Sequence, residues 1–195
     1  MILTAITVIA GLLLGLVYEV TKSPIEKAEN QALQDAYKAV FADADHFDDY
    51  EDFDAEEAAE VVASCGYPDN TIDSAVVAKD SSGEKLGYVL TITSHSGYGG
   101  DITFSVGIQN DGTLNGYSIT SISETAGLGM KAKESTFSSQ FENKKEDRYE
   151  VTKNESKSDS EIEAISGATI TSKAMTYGIN AGLAYFESIE EGGEQ

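Results

Sequence analysis

The sequence predicts an α+β fold: an N-terminal transmembrane helix followed by a small antiparallel-sheet domain with flanking helices. Three observations predict it. Met1 to Tyr18 carries no charged side chain. Between residues 74 and 123, four segments rich in Val, Ile, Thr, Tyr and Phe alternate with turn clusters. Further on, Met175, Ile179, Leu183 and Phe186 recur at the spacing of one helix face.

The apolar start is long enough to matter. About 18 residues at a rise of 1.5 Å span ~27 Å, close to the ~30 Å of a bilayer's hydrocarbon core. No basic stretch precedes the apolar run and no small-residue cleavage pattern follows it, so an uncleaved anchor over residues 1–20 is expected. Gly11 and Gly15 have the spacing of a small-residue helix interface. Lys22 and Lys27 follow the span and no basic residue precedes it, a charge bias that leans toward a cytoplasmic C-terminal domain.

Residues 21–72 read as a juxtamembrane helix and an acidic connecting region. Ser23, Pro24 and Glu26 fit the N-cap, N1 and N3 positions of a capping box, so a separate helix is expected to start at Ser23. The run from Phe41 to Glu60 mixes acids with aromatics. It lacks the glycine-punctuated calcium loop, so a solvated loop entering a helix over Ala55–Ala63 is expected, with His46 exposed.

Residues 73–195 form the main domain. Strands are expected over Ser74–Lys79, Lys85–Ser94, Asp101–Gln109 and Leu114–Ser123. Asp111-Gly112 supplies a hairpin turn because it tolerates positive φ. A short helix near Ser135–Phe141 and a strand over Tyr149–Thr152 follow. A last helix over Ser172–Glu190 ends at Gly192 and Gly193.

Charge and cysteine usage narrow the function. The chain has 34 acidic and 13 basic residues, a net charge of −21, which repels nucleic-acid backbones and gives no attraction to anionic lipid. No nucleic-acid partner is expected. Cys65 stands alone, so no internal disulfide forms; at a helix end before Gly66 it reads as a small core thiol. With one cysteine and two histidines, His46 and His95, no zinc or iron–sulfur site is expected from this chain alone. A redox cofactor would be organic or shared with another chain. No Ser/His/Asp or Cys/His grouping suggests hydrolysis, and no catalytic residue is assigned.

Ser166 to Ser172, SGATITS, places a glycine in a Ser/Thr-rich turn that opens a helix. Such a turn offers backbone N–H groups and the positive helix end to an anion, and serves equally as a plain N-cap. The glycines of Glu124-Thr125-Ala126-Gly127-Leu128-Gly129 would let backbone approach a flat ring, with Leu128 covering a face and Thr125 bonding a polar edge. A glycine-rich connection after a strand is the plainer reading of the same residues.

SGATITS resembles the flavinylation motif of the FMN-binding domain family, which includes the G subunit of the Rnf complex and the C subunit of the sodium-pumping NADH:quinone reductase. Ser166, Gly167, Ala168 and Thr169 match the motif, and Glu163 stands where its Asp is preferred. Glu124 to Gly129 resembles the family's E-T-P-G-L-G element with Ala126 in place of proline, and Gly97-Tyr98-Gly99-Gly100 resembles its G-Y-G-G strand entry. The short chain favours the G-subunit branch.

The resemblance implies an FMN-binding domain with one covalent FMN, joined by a phosphoester to Thr169 and delivered by a flavin transferase. The implied cofactor-binding set is Thr169, Ser166, Gly167, Ala168, Thr171, Ser172, Glu124, Thr125, Gly127, Leu128, Gly129 and Tyr98. It implies an electron relay to other membrane and peripheral subunits holding flavin or iron–sulfur clusters, with the domain on the outer face of the cytoplasmic membrane, against the lysine bias. Two rival expectations stand beside it: an unflavinylated structural anchor or assembly subunit, and a module binding an anionic ligand reversibly at the Ser172 helix end.

Overall fold

The computed structural model describes residues 2–192, which divide into two compact units, one ending at Asp35 and the other starting at Ala36. Gly193, expected to help end the last helix, lies outside the described residues.

The first unit is helical. Helix α1 runs Ile2–Val40 without interruption, so the expected restart at Ser23 does not occur and Pro24 sits inside the helix. Proline removes one backbone donor, yet the Glu-, Lys-, Ala- and Gln-rich run that follows it supplies good helix formers, and the helix carries through. The apolar part of α1 is long and apolar enough to cross a membrane, and Leu12, Leu14 and Leu16 are among its exposed side chains.

The second unit is built on a five-stranded antiparallel meander in the order β1-β2-β3-β4-β5, with β1 His46–Asp49, β2 Asn70–Lys79, β3 Lys85–Ser94, β4 Ile102–Gln109 and β5 Leu114–Ile122. The four later strands occupy the segments that the alternation marks, except that β2 begins at Asn70, ahead of the expected Ser74 and inside the expected connecting region. Strand β1 does not: it lies in the acidic run expected to be loop, pairing Phe47 with Ala78 and Asp49 with Val76. His46 is exposed, as expected. Helix α2, Ala55–Ser64, follows, and the Asp54 carboxylate caps it by accepting the N–H groups of Glu56 and Glu57 at 2.8 and 3.0 Å. Cys65, expected in the core, is exposed at the C-cap, because the helix ends there and Gly66 turns away with φ +90°.

After β5 come a 3-10 turn over Gly129–Lys133, the one-turn helix α3 Ser135–Ser138, and a further 3-10 turn to Phe141. Strand β6, Glu150–Thr152, pairs in parallel with β7, Glu161–Glu163, which sequence reading does not mark. Helix α4 spans Thr169–Gly192 and lays Met175, Ile179, Leu183 and Phe186 into the core against the sheet. Its start falls three residues before the expected Ser172.

Two glycines set how closely α4 approaches the sheet. A β-carbon on Gly178 would come within 2.6 Å of the Phe104 ring, and one on Gly182 within 2.7 Å of Ile92. Only hydrogen side chains allow that distance. The buried Asn180 amide then accepts the Tyr149 N–H and donates to the Tyr149 carbonyl, both at 2.9 Å, which fixes the entry to β6 against α4.

Candidate functional site

Three segments far apart in sequence meet at the start of α4. The first is the Gly97–Gly100 loop before β4. The second is the connection Glu124–Gly129 after β5. The third is the turn Ile165–Ala168 that leads into α4.

The second and third segments each make a turn of type II form. In Thr125–Leu128, the Leu128 N–H donates to the Thr125 carbonyl at 3.1 Å, and Gly127 has φ +76° at the third position. In Ile165–Ala168, the Ala168 N–H donates to the Ile165 carbonyl at 2.9 Å, and Gly167 has φ +78° at the same position. Type II turns require that left-handed conformation there, and glycine provides it without strain. The turns face each other: a β-carbon on Gly167 would stand 3.1 Å from Leu128 Cδ2.

Glu124 ties the first segment to the second. Its carboxylate is buried at 8% exposure, and Oε1 accepts the Tyr98 N–H at 2.7 Å. Gly129 packs beneath it, where a β-carbon would lie 2.6 Å from both Glu124 Oε2 and Thr171 Oγ1. The loop is equally tight at Gly97 and Gly99, whose β-carbons would run into the carbonyl oxygens of Gly100 and Ser123.

Ser172 secures the third segment. Its hydroxyl accepts the Ile165 N–H at 2.9 Å and donates to the Ala168 carbonyl at 3.0 Å, while its own N–H donates to that carbonyl at 3.0 Å. Ser172 therefore lies in the first turns of α4 rather than capping it. Thr169 is the first helical residue. The N–H groups at a helix start have no intrahelical acceptor and point at whatever lies beyond it.

Between the segments lies a cavity of about 560 Å³, lined by Tyr98, Glu124, Thr125, Leu128, Gly129, Gly167, Ala168, Thr169, Ile170 and Thr171. Of the residues singled out in the sequence, Ser166, Gly127 and Ser172 lie outside this lining. Ser166 and Gly127 are exposed turn residues, and Ser172 is buried behind the turn. Sequence reading misses Ile170, although it stands inside the quoted motif; an exposed apolar residue between two threonines is its only signal. Tyr98, Leu128 and Ile170 leave 71%, 41% and 52% of their surface exposed, an apolar rim of the kind that covers a planar ring. His95 is exposed, with Nδ1 3.1 Å from an Asp101 carboxylate oxygen, and does not line the cavity. The arrangement suits an elongated ligand with a flat apolar part and an anionic end.

Residues 97–184, which contain all three segments, match the FMN-binding domain family. Over 195 residues the chain is 32% identical to the G subunit of the Na(+)-translocating ferredoxin:NAD(+) oxidoreductase complex of Acetobacterium woodii, covering 98% of this chain and 91% of that protein. The chain belongs to the G-subunit family of ion-translocating oxidoreductase complexes. A second relative, the G subunit of the proton-translocating ferredoxin:NAD(+) oxidoreductase complex of Clostridium ljungdahlii, is 32% identical over 179 residues, covering 91% of this chain and 84% of that protein. The fold is shared more widely than the G subunits: the crystal structure of Shewanella oneidensis NqrC superposes with a TM-score of 0.50 at 20% identity over 60% of each chain.

Proposed function

We propose that this member of the G-subunit family is a membrane-anchored electron-transfer subunit of a ferredoxin:NAD oxidoreductase that couples electron flow to ion translocation. It carries one FMN covalently through a phosphoester to Thr169. In this reading residues 1–20 anchor the chain, 21–72 connect, and 73–195 form the FMN-binding domain on the outer face of the cytoplasmic membrane. A flavin transferase installs the cofactor, and the other subunits, holding flavin or iron–sulfur clusters, exchange electrons with it.

The observation that carries the proposal is the position of Thr169: the first residue of α4, on the wall of a cavity framed by two glycine turns. The residues present fit FMN. A cavity of about 560 Å³ lies within the roughly 300–1,000 Å³ of ligand sites. Tyr98, Leu128 and Ile170 offer apolar surface to the ring, Thr125 and Thr171 offer hydroxyls to its polar edge, and the α4 start offers N–H groups to the phosphate. Ser166, Gly127 and Ser172 hold the backbone that shapes this wall. Bound FMN supplies reversible redox chemistry at its ring, and the protein supplies orientation and electrostatics. A covalent tether keeps the group on a protein face where no free pool refills the site.

The test is intact mass with in-gel fluorescence of the denatured chain, for wild type and Thr169→Ala produced with the flavin transferase. The expected result is a gain of roughly 440 Da, one FMN less water, with fluorescence abolished in Thr169→Ala. An unmodified wild-type mass would overturn the covalent reading and favour the unflavinylated structural anchor.

A further inference from the structure

Resting on that reading, we infer that Lys173 is the cationic partner of the flavin's phosphate group. None of the ten residues lining the cavity is cationic, and the one charged group among them is the Glu124 carboxylate. The chain's net charge of −21 opposes placing a further anion there. Helix-start N–H groups carry only partial charge.

Lys173 lies four residues after Thr169 on α4, so the two share a face with β-carbons about 5–6 Å apart. Side chains on a helix lean toward its N-terminus, so the lysine has the turn that bears Thr169 within its reach. Lys173 is exposed, and among the described residues it enters no ion pair. In this structure its side chain lines a neighbouring wall of α4, in a second cavity of about 520 Å³ with Arg148, Tyr67 and Tyr177, where Arg148 is already paired with Glu150. Lys173 is thus the uncommitted cation on the helix face of the attachment residue.

The experiment compares reversible binding of FMN and of riboflavin, which lacks the phosphate, to the full chain made without flavin transferase. Wild type, Lys173→Gln, Lys173→Arg and Lys131→Gln are titrated by flavin fluorescence. The expected result is that Lys173→Gln weakens FMN about three- to fivefold, the size of an exposed ion pair, leaves riboflavin unchanged, and is rescued by Lys173→Arg. The FMN preference should also shrink as salt is raised. Equal FMN affinity in wild type and Lys173→Gln overturns the inference alone. So does an equal loss in Lys131→Gln, which would report only the general field. A wild-type chain that binds neither flavin, and carries none covalently when the transferase is present, overturns the proposed function and this inference with it.

Discussion

The Glu124 carboxylate and the Tyr98 amide, 26 residues apart in sequence, are joined by a 2.7 Å hydrogen bond that closes one wall of the cavity. A charged acceptor holding a backbone donor is among the stronger single bonds in a fold.

Removing that acceptor leaves the Tyr98 N–H without its partner. Glu124→Ala is expected to lower stability by about 1–3 kcal/mol in urea unfolding and to weaken flavin retention. Glu124→Gln keeps an acceptor at the same place and should lose about half as much.

Gly129 has no room to grow. Gly129→Ala places a methyl group 2.6 Å from the Glu124 and Thr171 side-chain oxygens. Both must move, and both line the cavity. The expected cost is about 1–3 kcal/mol of stability, accompanied by a clear loss of flavin incorporation measured by absorbance per chain.

Ala126 occupies the second position of the Thr125–Leu128 turn, where a fixed φ near −60° suits proline. Among the described residues its N–H has no hydrogen-bond partner in the protein. Ala126→Pro is therefore expected to stabilise the chain by about 0.4–1 kcal/mol by restricting the unfolded state, read as a raised urea midpoint with unchanged slope. A lowered midpoint would show that the proline ring clashes with Thr125 and that this cost exceeds the gain.

Alkaline pH should loosen the core through its phenols. Burial pushes the Tyr185 hydroxyl up to about 12, and burial also raises Tyr117 and Tyr149. A phenol whose folded value is raised favours the folded state fully below its unfolded value of about 10. That contribution is lost as pH rises from about 10 through 12, because the unfolded chain releases its proton first. Unfolding midpoints measured from about pH 9 upward should fall over this window, and Tyr185→Phe should make the fall shallower.

Much of this architecture can be read from residue order. The strands β2 to β5 are visible because their alternation is interrupted by turn residues, such as Asp111, whose carboxylate accepts the Thr113 N–H at 2.9 Å. The motif residues around Thr169 and Glu124 are also visible, as glycines next to small polar side chains. What stays hidden depends on contacts. Ser172 looks like a helix cap, yet its hydroxyl serves Ile165 and Ala168 from inside the helix. Strand β7 is three residues long and exists only by pairing with β6. Strand β1 hides in an acidic run because a strand at the sheet edge can leave charged side chains in water. Pro24 resembles a helix start because local sequence does not reveal whether the preceding residues are already helical.

Helix α4 joins the site to the interior in one element: Thr169 is its first residue, and Met175, Ile179, Leu183 and Phe186 bury its following turns against the sheet. Opening that end of the helix therefore disturbs the element on which the core is assembled. The start of α4 is thereby expected to open together with the core rather than ahead of it. An optical signal from a group held at Thr169 should vanish in the same transition as the backbone circular dichroism, and α4 amides from Ser172 onward, where the N–H already has its helical acceptor at Ala168, should exchange through the same opening as those at the helix centre.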